Sequence, residues 1–241
     1  MVPTIEEVRR EKGLTHVNYT LYRVKYTKMG NLKYISHLDL LRTMQRILLR
    51  SELPVWYSEG FNPQPKLSFG LPLSVGCESV CEYIDIRLTE PFSCEEVAAR
   101  LTDAFPREMS IVSVYHPETK YNDIGCAGYT LTLRSPRVEE NTPEAVKKLF
   151  GAELLMEKKS KRGMKTINLS ELICRLDARV VGDALVIDTV LPASSATYVN
   201  PELLVEAMTK HLGILGNSLT EESCDLIRTE VYFADGVTVF A

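Results

Sequence analysis

The sequence lacks the short motifs that mark the common enzyme classes. It contains no G-x-G-x-x-G, P-loop or G-x-S-x-G stretch, which removes the signatures of dinucleotide-binding, P-loop and serine-hydrolase sites. Histidine and tryptophan are scarce, with four and one residues among 241. Nothing in the sequence therefore requires an enzyme.

The sequence also lacks a cysteine motif for metal binding. The six cysteines are scattered and include no C-x-x-C pair, and only Cys77 and Cys81 lie close together. A radical-SAM cluster motif would need a third cysteine where Ile84 stands. We therefore expect no metal site and no cofactor, and we expect reduced cysteines that pack as small apolar side chains.

No apolar run approaches the ~18 residues that a membrane-spanning helix needs. The N-terminal stretch MVPTIEEVRREKG is polar and has no apolar centre of the kind found in a secretory signal. Residues 1–18 are interpreted as a charged N-terminal extension. We expect a cytoplasmic protein with no membrane partner.

The first half of the chain predicts strands and helices in the order β-α-β-β-α-β. The predicted strands are 19–27, 55–57, 82–88 and 109–115, and the predicted helices are 36–50 and 93–104. Ser36 and Ser93 stand at the helix starts as capping residues, with acidic residues following. This order is that of the ferredoxin-like unit.

The second half predicts the same order. Its predicted strands are 129–134, 153–157, 183–191 and 225–233, its predicted helices are 142–150 and 200–211, and 166–180 is interpreted as a short helix or turn and then a strand. We therefore expect an α+β protein of two tandem ferredoxin-like (βαββαβ) units with antiparallel sheets. Residues 19–118 form the first domain and 128–241 form the second.

Basic residues are concentrated in the first half. Residues 20–70 contain eight basic and three acidic residues, a local charge of +5 in a chain whose net charge is −4. Arg42, Arg46 and Arg50 follow one another at intervals of four, so they line one face of the predicted helix. This asymmetry favours an anionic partner, and the alternative is an ordinary solvated face.

A second basic cluster is the stretch KKSKRGMK, which we interpret as a flexible hairpin tip. Its cations include Lys158, Lys159, Lys161 and Arg162, with no acidic residue among them. Such a tip can contact phosphates without regard to sequence. The alternative is a turn that only improves solubility.

Residues 57–76 form a predicted loop rich in glycine and proline that also carries aromatic rings. Tyr57, Phe61, Asn62, Gln64 and Lys66 place rings beside amides and a cation. Such a set suits unstacked RNA bases, and a long structureless run in a compact domain is often functional. The alternative is that Phe61 and Phe69 hold the loop against the sheet.

The catalytic candidate is His37, in the first turn of the arginine-bearing helix and close in sequence to Asp39. It could act as a general base or contact a ribose, and the alternative is a surface or capping residue.

Residues 30–79 carry a specific motif. Its blocks are Ser36-His37-Leu38-Asp39, Arg42, Arg46, Gly60-Phe61-Asn62-Pro63, Pro65-Lys66, Ser68-Phe69-Gly70 and Pro72-Leu73. The motif resembles that of a bacterial family of radical-SAM-associated domains of unknown function, most strongly over residues 22–88. That family commonly has histidine where this sequence has Gln64, which argues against acid–base chemistry at this position.

The resemblance implies a radical-SAM protein as partner, and the charge and aromatic patterns favour RNA, either tRNA or rRNA. The first hypothesis is an RNA-binding or substrate-presenting accessory protein for RNA modification. The second is a metal-independent RNA-processing enzyme with His37 as base and Lys66 as charge stabiliser. The third is a protein-interaction subunit that docks on the radical-SAM partner through the loop.

Overall fold

The structure, a computed structural model, describes residues 19–59, 61–160, 163–216 and 221–241. The strands are β1 (Thr20–Lys28), β2 (Leu67–Phe69), β3 (Cys77–Leu88), β4 (Met109–Tyr115), β5 (Cys126–Arg134), β6 (Leu155–Ser160), β7 (Gly163–Asn168), β8 (Arg175–Val181), β9 (Ala184–Pro192) and β10 (Ser223–Tyr232). The helices are α1 (His37–Arg50), α2 (Cys94–Ala104), α3 (Thr142–Gly151), α4 (Leu169–Leu172) and α5 (Glu202–Leu212). The chain is therefore α+β, and the predicted extension 1–18 lies outside the described residues.

Eight strands form one sheet that runs through both halves. Its order is β4-β1-β3-β10-β5-β9-β8, with β2 also paired to β3. The pairs are antiparallel except at the junction, where residues 226–228 of β10 run parallel to residues 77–79 of β3. The expected antiparallel pairing is confirmed within each half, but the expectation of one sheet for each half is wrong, because β3 and β10 join the halves into a single sheet. Strand β3 begins earlier than predicted, and its first residues extend past β2 and reach the second half.

The second strand of the first half lies inside the stretch predicted as a loop. The predicted strand 55–57 makes only isolated bridges, from Val55 to Leu88 and from Tyr57 to Pro65. The paired strand is β2, which is antiparallel to β3. Leu67 and Phe69 contact the core beneath α1, so these two apolar side chains explain why this short segment joins the sheet.

The predicted strand 153–157 corresponds to β6, which leaves the main sheet and pairs only with β7 among the described residues. The short helix and strand expected within 166–180 are confirmed as α4 and β8. Strand β8 takes the position beside β9 that a ferredoxin-like order would give to the second strand. Gly182 joins β8 to β9 with φ 62°, a conformation that glycine adopts without strain.

Both predicted helix caps are confirmed. The Ser36 side chain accepts a hydrogen bond from the Asp39 backbone N–H, and Ser93 does the same for Glu96. Helix α1 buries Leu40, Met44, Ile47 and Leu48 against the sheet, each worth about 1.5–3 kcal/mol of burial, and leaves its other face to solvent. In the described part of the chain, no helix has both the length and the apolar character that a membrane crossing requires.

The two halves share packing as well as a sheet. Cys77, Cys81 and Tyr83 of β3 belong to the core that the second half forms. The two cysteines are buried small side chains, as expected, and burial raises the pKa of Cys77 to about 12 and that of Cys81 to about 11. These thiols therefore stay protonated at neutral pH.

Candidate nucleic-acid interface

The described residues from 57 to 65, all except Gly60, belong to a loop that is closed at its base by backbone hydrogen bonds. The Ser58 N–H donates to the Gln64 carbonyl at 2.8 Å, and the Lys66 N–H donates to the Trp56 carbonyl at 3.0 Å. The Ser58 hydroxyl accepts from the Gln64 N–H at 3.0 Å. The base of the loop is thus held in place, and its tip extends into solvent.

The two phenylalanines of the predicted loop have different roles. Phe69 lies in β2, is partly buried in the core, and packs edge-on against His37 with ring centroids 5.1 Å apart. Phe61 lies at the tip and has a relative exposure of 112%. Phe69 therefore holds its segment to the sheet, as one alternative proposed, whereas Phe61 contributes nothing to the core.

Side-chain amides join the 57–65 loop to helix α1. Gln45 Nε2 donates to Gln64 Oε1 at 3.1 Å, and Gln64 Nε2 donates to Asn62 Oδ1 at 3.1 Å. Gln45 lies between Arg42 and Arg46 along the helix. The exposed face of α1 and the loop therefore make one continuous surface, which we call the α1–loop surface.

The three arginines of α1 do not act alike. Arg42 Nη1 contacts Asp39 Oδ1 at 3.2 Å, and hydrogen bonds from Ser36 and Arg42 hold the pKa of Asp39 below its usual value. Arg46 is exposed and has no partner among the described residues. Arg50 Nη2 donates to the Ala104 carbonyl at 2.8 Å, at the end of α2. Arg50 thus has a structural role, because it satisfies a carbonyl at a helix C-terminus.

Much of the positive charge counted in residues 20–70 is used inside the protein. Arg23 is buried against Asp85, with two hydrogen bonds of 2.7 and 3.0 Å. Lys25 pairs with Glu230, and Lys33 pairs with Asp225. Lys28 is buried, and burial lowers its pKa. The local charge of +5 therefore overstates the surface charge.

A stack of rings and cations lies at the base of the loop. Tyr19 and Trp56 stack with centroids 5.2 Å apart, Arg87 lies 5.4 Å from the Tyr19 ring, and Lys66 lies 5.9 Å from the Trp56 ring. Tyr57, next to the stack, is 40% exposed. The prediction included Lys66 and missed Tyr19 and Arg87. Tyr19 and Arg87 are far apart in the sequence, so no local pattern indicates this stack. The pairing of β1 with β3 brings the two residues together.

The second basic cluster is only partly described. Lys158 and Lys159 lie in β6, and the hairpin with β7 is confirmed. Lys161 and Arg162 lie outside the described residues. The backbone hydrogen bonds at the base of this hairpin, such as that from Leu169 to Leu154, are made within the second half.

The catalytic candidate His37 is exposed, and its described contact is the Phe69 ring. No hydrogen bond to its imidazole from a described residue fixes a tautomer, as a general base would need. No cluster of three metal-binding side chains occurs in the described parts of the chain. The α1–loop surface thus presents exposed cations, amides and the Phe61 ring side by side.

Comparison with solved structures gives two partial likenesses. A chain in the crystal structure of a Cbf5-Nop10-Gar1 complex is 12% identical with a TM-score of 0.46, over 87% of this chain and 48% of that chain. The chain thus spans about half the length of that structure. An unknown protein from Galdieria sulphuraria is 11% identical with a TM-score of 0.27, over 88% of this chain and 99% of that one. Both TM-scores lie below 0.5, so neither establishes a shared fold or function.

No curated protein matches the sequence. A family model described as "Uncharacterized protein conserved in bacteria (DUF2344)" matches residues 21–201, which include α1, the 57–65 loop and most of the sheet. The match extends over most of the chain, and the chain therefore belongs to this bacterial family.

Proposed function

We propose that the protein is an RNA-binding or substrate-presenting accessory protein that works with a radical-SAM enzyme in RNA modification and is not catalytic by itself. One observation carries the proposal: the hydrogen-bond chain from Gln45 through Gln64 to Asn62. It joins the arginine face of α1 to the exposed tip of the loop. Groups that suit phosphates and groups that suit bases therefore lie side by side.

Arg42 and Arg46 are the proposed phosphate contacts. The Arg42 side chain is 67% exposed and uses one nitrogen for Asp39, which leaves most of its five N–H donors to solvent. Arg46 is exposed one turn further along. Lys66 extends the cationic surface past the loop, and the basic hairpin at Lys158, Lys159, Lys161 and Arg162 is proposed as a second phosphate contact.

Phe61 and Asn62 are the proposed base contacts. The Phe61 ring is fully exposed, so a base that stacks on it would remove apolar surface of both groups from water. Stacking of one base on an aromatic ring is worth about 1–3 kcal/mol. The amide of Asn62 lies next in the chain and can bond a base edge.

The finer parts of the proposal concern the partners and the domains. The proposed radical-SAM partner rests on the sequence resemblance over residues 22–88, and the proposed RNA substrate of the tRNA or rRNA class rests on the basic residues and on the aromatic and amide side chains of the loop. We also propose that residues 19–118 and 128–241 are two ferredoxin-like domains. The strand orders β4-β1-β3-β2 and β10-β5-β9-β8 support this, because both follow the ferredoxin-like order 4-1-3-2.

A second candidate function is docking of a protein partner on the same surface. Leu38 and Leu49 are exposed on α1 at 61% and 71%, and Phe61 is exposed on the loop. Exposed apolar side chains of this kind are typical of protein interfaces when they are contiguous. Under this alternative, partner binding would depend on Phe61 and would not depend on Arg42 or Arg46.

The test is a binding assay with a purified small-RNA fraction that contains tRNA and fragmented rRNA. The variant Arg42→Ala with Arg46→Ala should bind at least about tenfold more weakly, which corresponds to about 1.4 kcal/mol. The matched control is Lys147→Ala with Lys148→Ala, which removes two positive charges from α3 in the second half. Equal affinity of the two double variants would contradict the proposal.

Phe61→Ala separates the two candidate functions. Because Phe61 is fully exposed, the variant should unfold with the wild-type free energy. It should weaken RNA binding if the ring stacks on a base. Unchanged RNA affinity together with lost capture of the radical-SAM partner would favour docking.

A further inference from the structure

A pocket of about 640 Å³ opens between the two halves and is separate from the exposed tip of the loop. Its walls come from residues 69–74 in and after β2, from Tyr121, Asn122 and Ile124 in the link between the halves, and from Ala193, Ser194, Ser195 and Tyr198 after β9. We call it the inter-half pocket. Its volume is within the range of about 300–1,000 Å³ that small-molecule sites occupy.

The lining of the inter-half pocket has rings and neutral hydrogen-bonding groups. Phe69, Tyr121 and Tyr198 provide the rings, and Ser74 and Asn122 are among the polar groups, with Ser194 and Ser195 on the opposite wall. No charged side chain of the described residues lines it. A phosphate or carboxylate would thus lose its water without gaining a cation there. A flat, neutral group with a hydrogen-bonding edge suits this lining.

One wall of the pocket is held rigidly. The Tyr121 hydroxyl donates to Asp85 Oδ1 at 2.7 Å, and the Arg23 guanidinium lies 4.3 Å from the centre of the same ring. Burial raises the pKa of Tyr121, so the hydroxyl remains a donor. Gly70 lies against this ring, and a Cβ there would be 3.0 Å from its edge. A wall fixed in advance lowers the entropy cost of binding a ligand.

The pocket is next to the α1–loop surface. Phe69 lines the pocket and also contacts His37, the first residue of α1. Arg42 follows on the second turn of that helix. An RNA strand whose phosphates contact α1 could therefore turn one unstacked base past His37 into the pocket. RNA-binding proteins commonly read single-stranded RNA through unstacked bases in this way.

We propose that the inter-half pocket binds one unpaired nucleobase of the RNA whose phosphates contact Arg42 and Arg46. This inference rests on the proposed function and adds a specificity site to it. The neutral lining accepts the base and leaves the charged backbone outside. The three walls belong to both halves, so the site is complete only when the halves are packed together.

The test uses 2-aminopurine riboside, a neutral fluorescent nucleoside that carries no phosphate. Titration to about 10 mM should give saturable quenching as the base stacks on an aromatic wall.

Ser195→Trp, which fills the pocket from its exposed rim, should weaken this binding by about 5- to 150-fold, the factor that corresponds to one base stack. Gly70→Ala, which displaces the Tyr121 ring, should weaken it less. The control is Ser110→Trp, at an exposed position on β4.

The variant Arg42→Ala with Arg46→Ala distinguishes failure of this inference from failure of the proposed function. It should bind the nucleoside as the wild type does, because no phosphate is present. Absence of saturable quenching, or equal binding by Ser195→Trp and Ser110→Trp, would overturn the pocket assignment even if RNA binding depends on the arginines. A third outcome is that Ser195→Trp weakens nucleoside binding but the wild-type protein binds no RNA. That result would keep the pocket as a nucleoside site and overturn its role in RNA recognition.

Discussion

The junction between the two halves depends on a buried ion pair, and Glu82→Gln tests it. Arg228 and Glu82 form a salt bridge with relative exposures of 1% and 4%, and Arg228 also donates to the Leu71 carbonyl at 2.8 Å. Arg228 lies on β10 directly opposite Ser79 of β3, where the parallel pairing joins the halves. Its Nε and Nη1 have no hydrogen-bond partner among the residues that the structure describes.

The size of the effect follows from these contacts. Burial by itself lowers the pKa of Arg228, but the Glu82 carboxylate beside it raises that pKa, so the guanidinium stays charged. Glutamine at position 82 would keep one acceptor and remove the compensating charge. Loss of one partner from a buried pair costs about 3–5 kcal/mol. Because one hydrogen bond is retained, Glu82→Gln should lower the free energy of unfolding by about 3 kcal/mol. This is a large part of a typical stability of about 5–15 kcal/mol.

Urea unfolding followed by circular dichroism measures this change. The control is Glu78→Gln on the same strand, where the exposed carboxylate accepts from the Gly30 N–H at 2.7 Å, and it should change the free energy of unfolding by about 0.5 kcal/mol or less. The double variant Glu82→Leu with Arg228→Met removes both charges and should be more stable than Glu82→Gln alone. A loss below about 1 kcal/mol in Glu82→Gln would refute the reasoning.

Three further predictions concern local geometry. Ser36→Ala should cost about 1 kcal/mol of unfolding free energy through loss of the α1 cap, and an unchanged urea midpoint would contradict this. Partial burial raises the pKa of Asp188, but hydrogen bonds from Thr130 and Arg179 outweigh this and hold that pKa below its usual 3.8. Asp188→Asn should therefore be less stable than the wild type at pH 7, and the difference should shrink below about pH 4 and vanish once the carboxyl is protonated in the folded protein. A difference that does not shrink as the pH falls below about 4 would argue against this prediction. The Sγ atoms of Cys126 and Cys174 lie 3.7 Å apart, so diamide should oxidise this pair to a disulfide with loss of two free thiols, and Cys174→Ser should prevent it.

Local features of the fold could be predicted from the sequence. The caps at Ser36 and Ser93 are confirmed because a helix start is decided by residues three positions apart. The apolar face of α1 is likewise a short-range pattern. The β2 strand was missed because three residues carry almost no periodicity, and it exists only through its pairing with β3. The junction of β3 with β10 joins residues far apart in the chain, which no local pattern records.

The candidate site shows the same division. The sequence identified Arg42, Arg46 and Phe61, and the structure leaves all three exposed. It could not show that Arg23 is neutralised by Asp85, because the two residues meet only across paired strands. It also left open whether the loop phenylalanines face a ligand or hold the loop, and the structure separates the two: Phe69 packs inward and Phe61 faces solvent.

The salt dependence of RNA binding tests the central claim most directly. Each phosphate contact contributes about 0.7–0.9 to the slope of log K against log salt concentration. If Arg42 and Arg46 each contact a phosphate, their joint replacement by alanine should reduce the slope by about 1.4–1.8, while Lys147→Ala with Lys148→Ala should leave it unchanged. A wild-type affinity that is flat with salt, or equal slopes for the wild type and the arginine variant, would contradict the account.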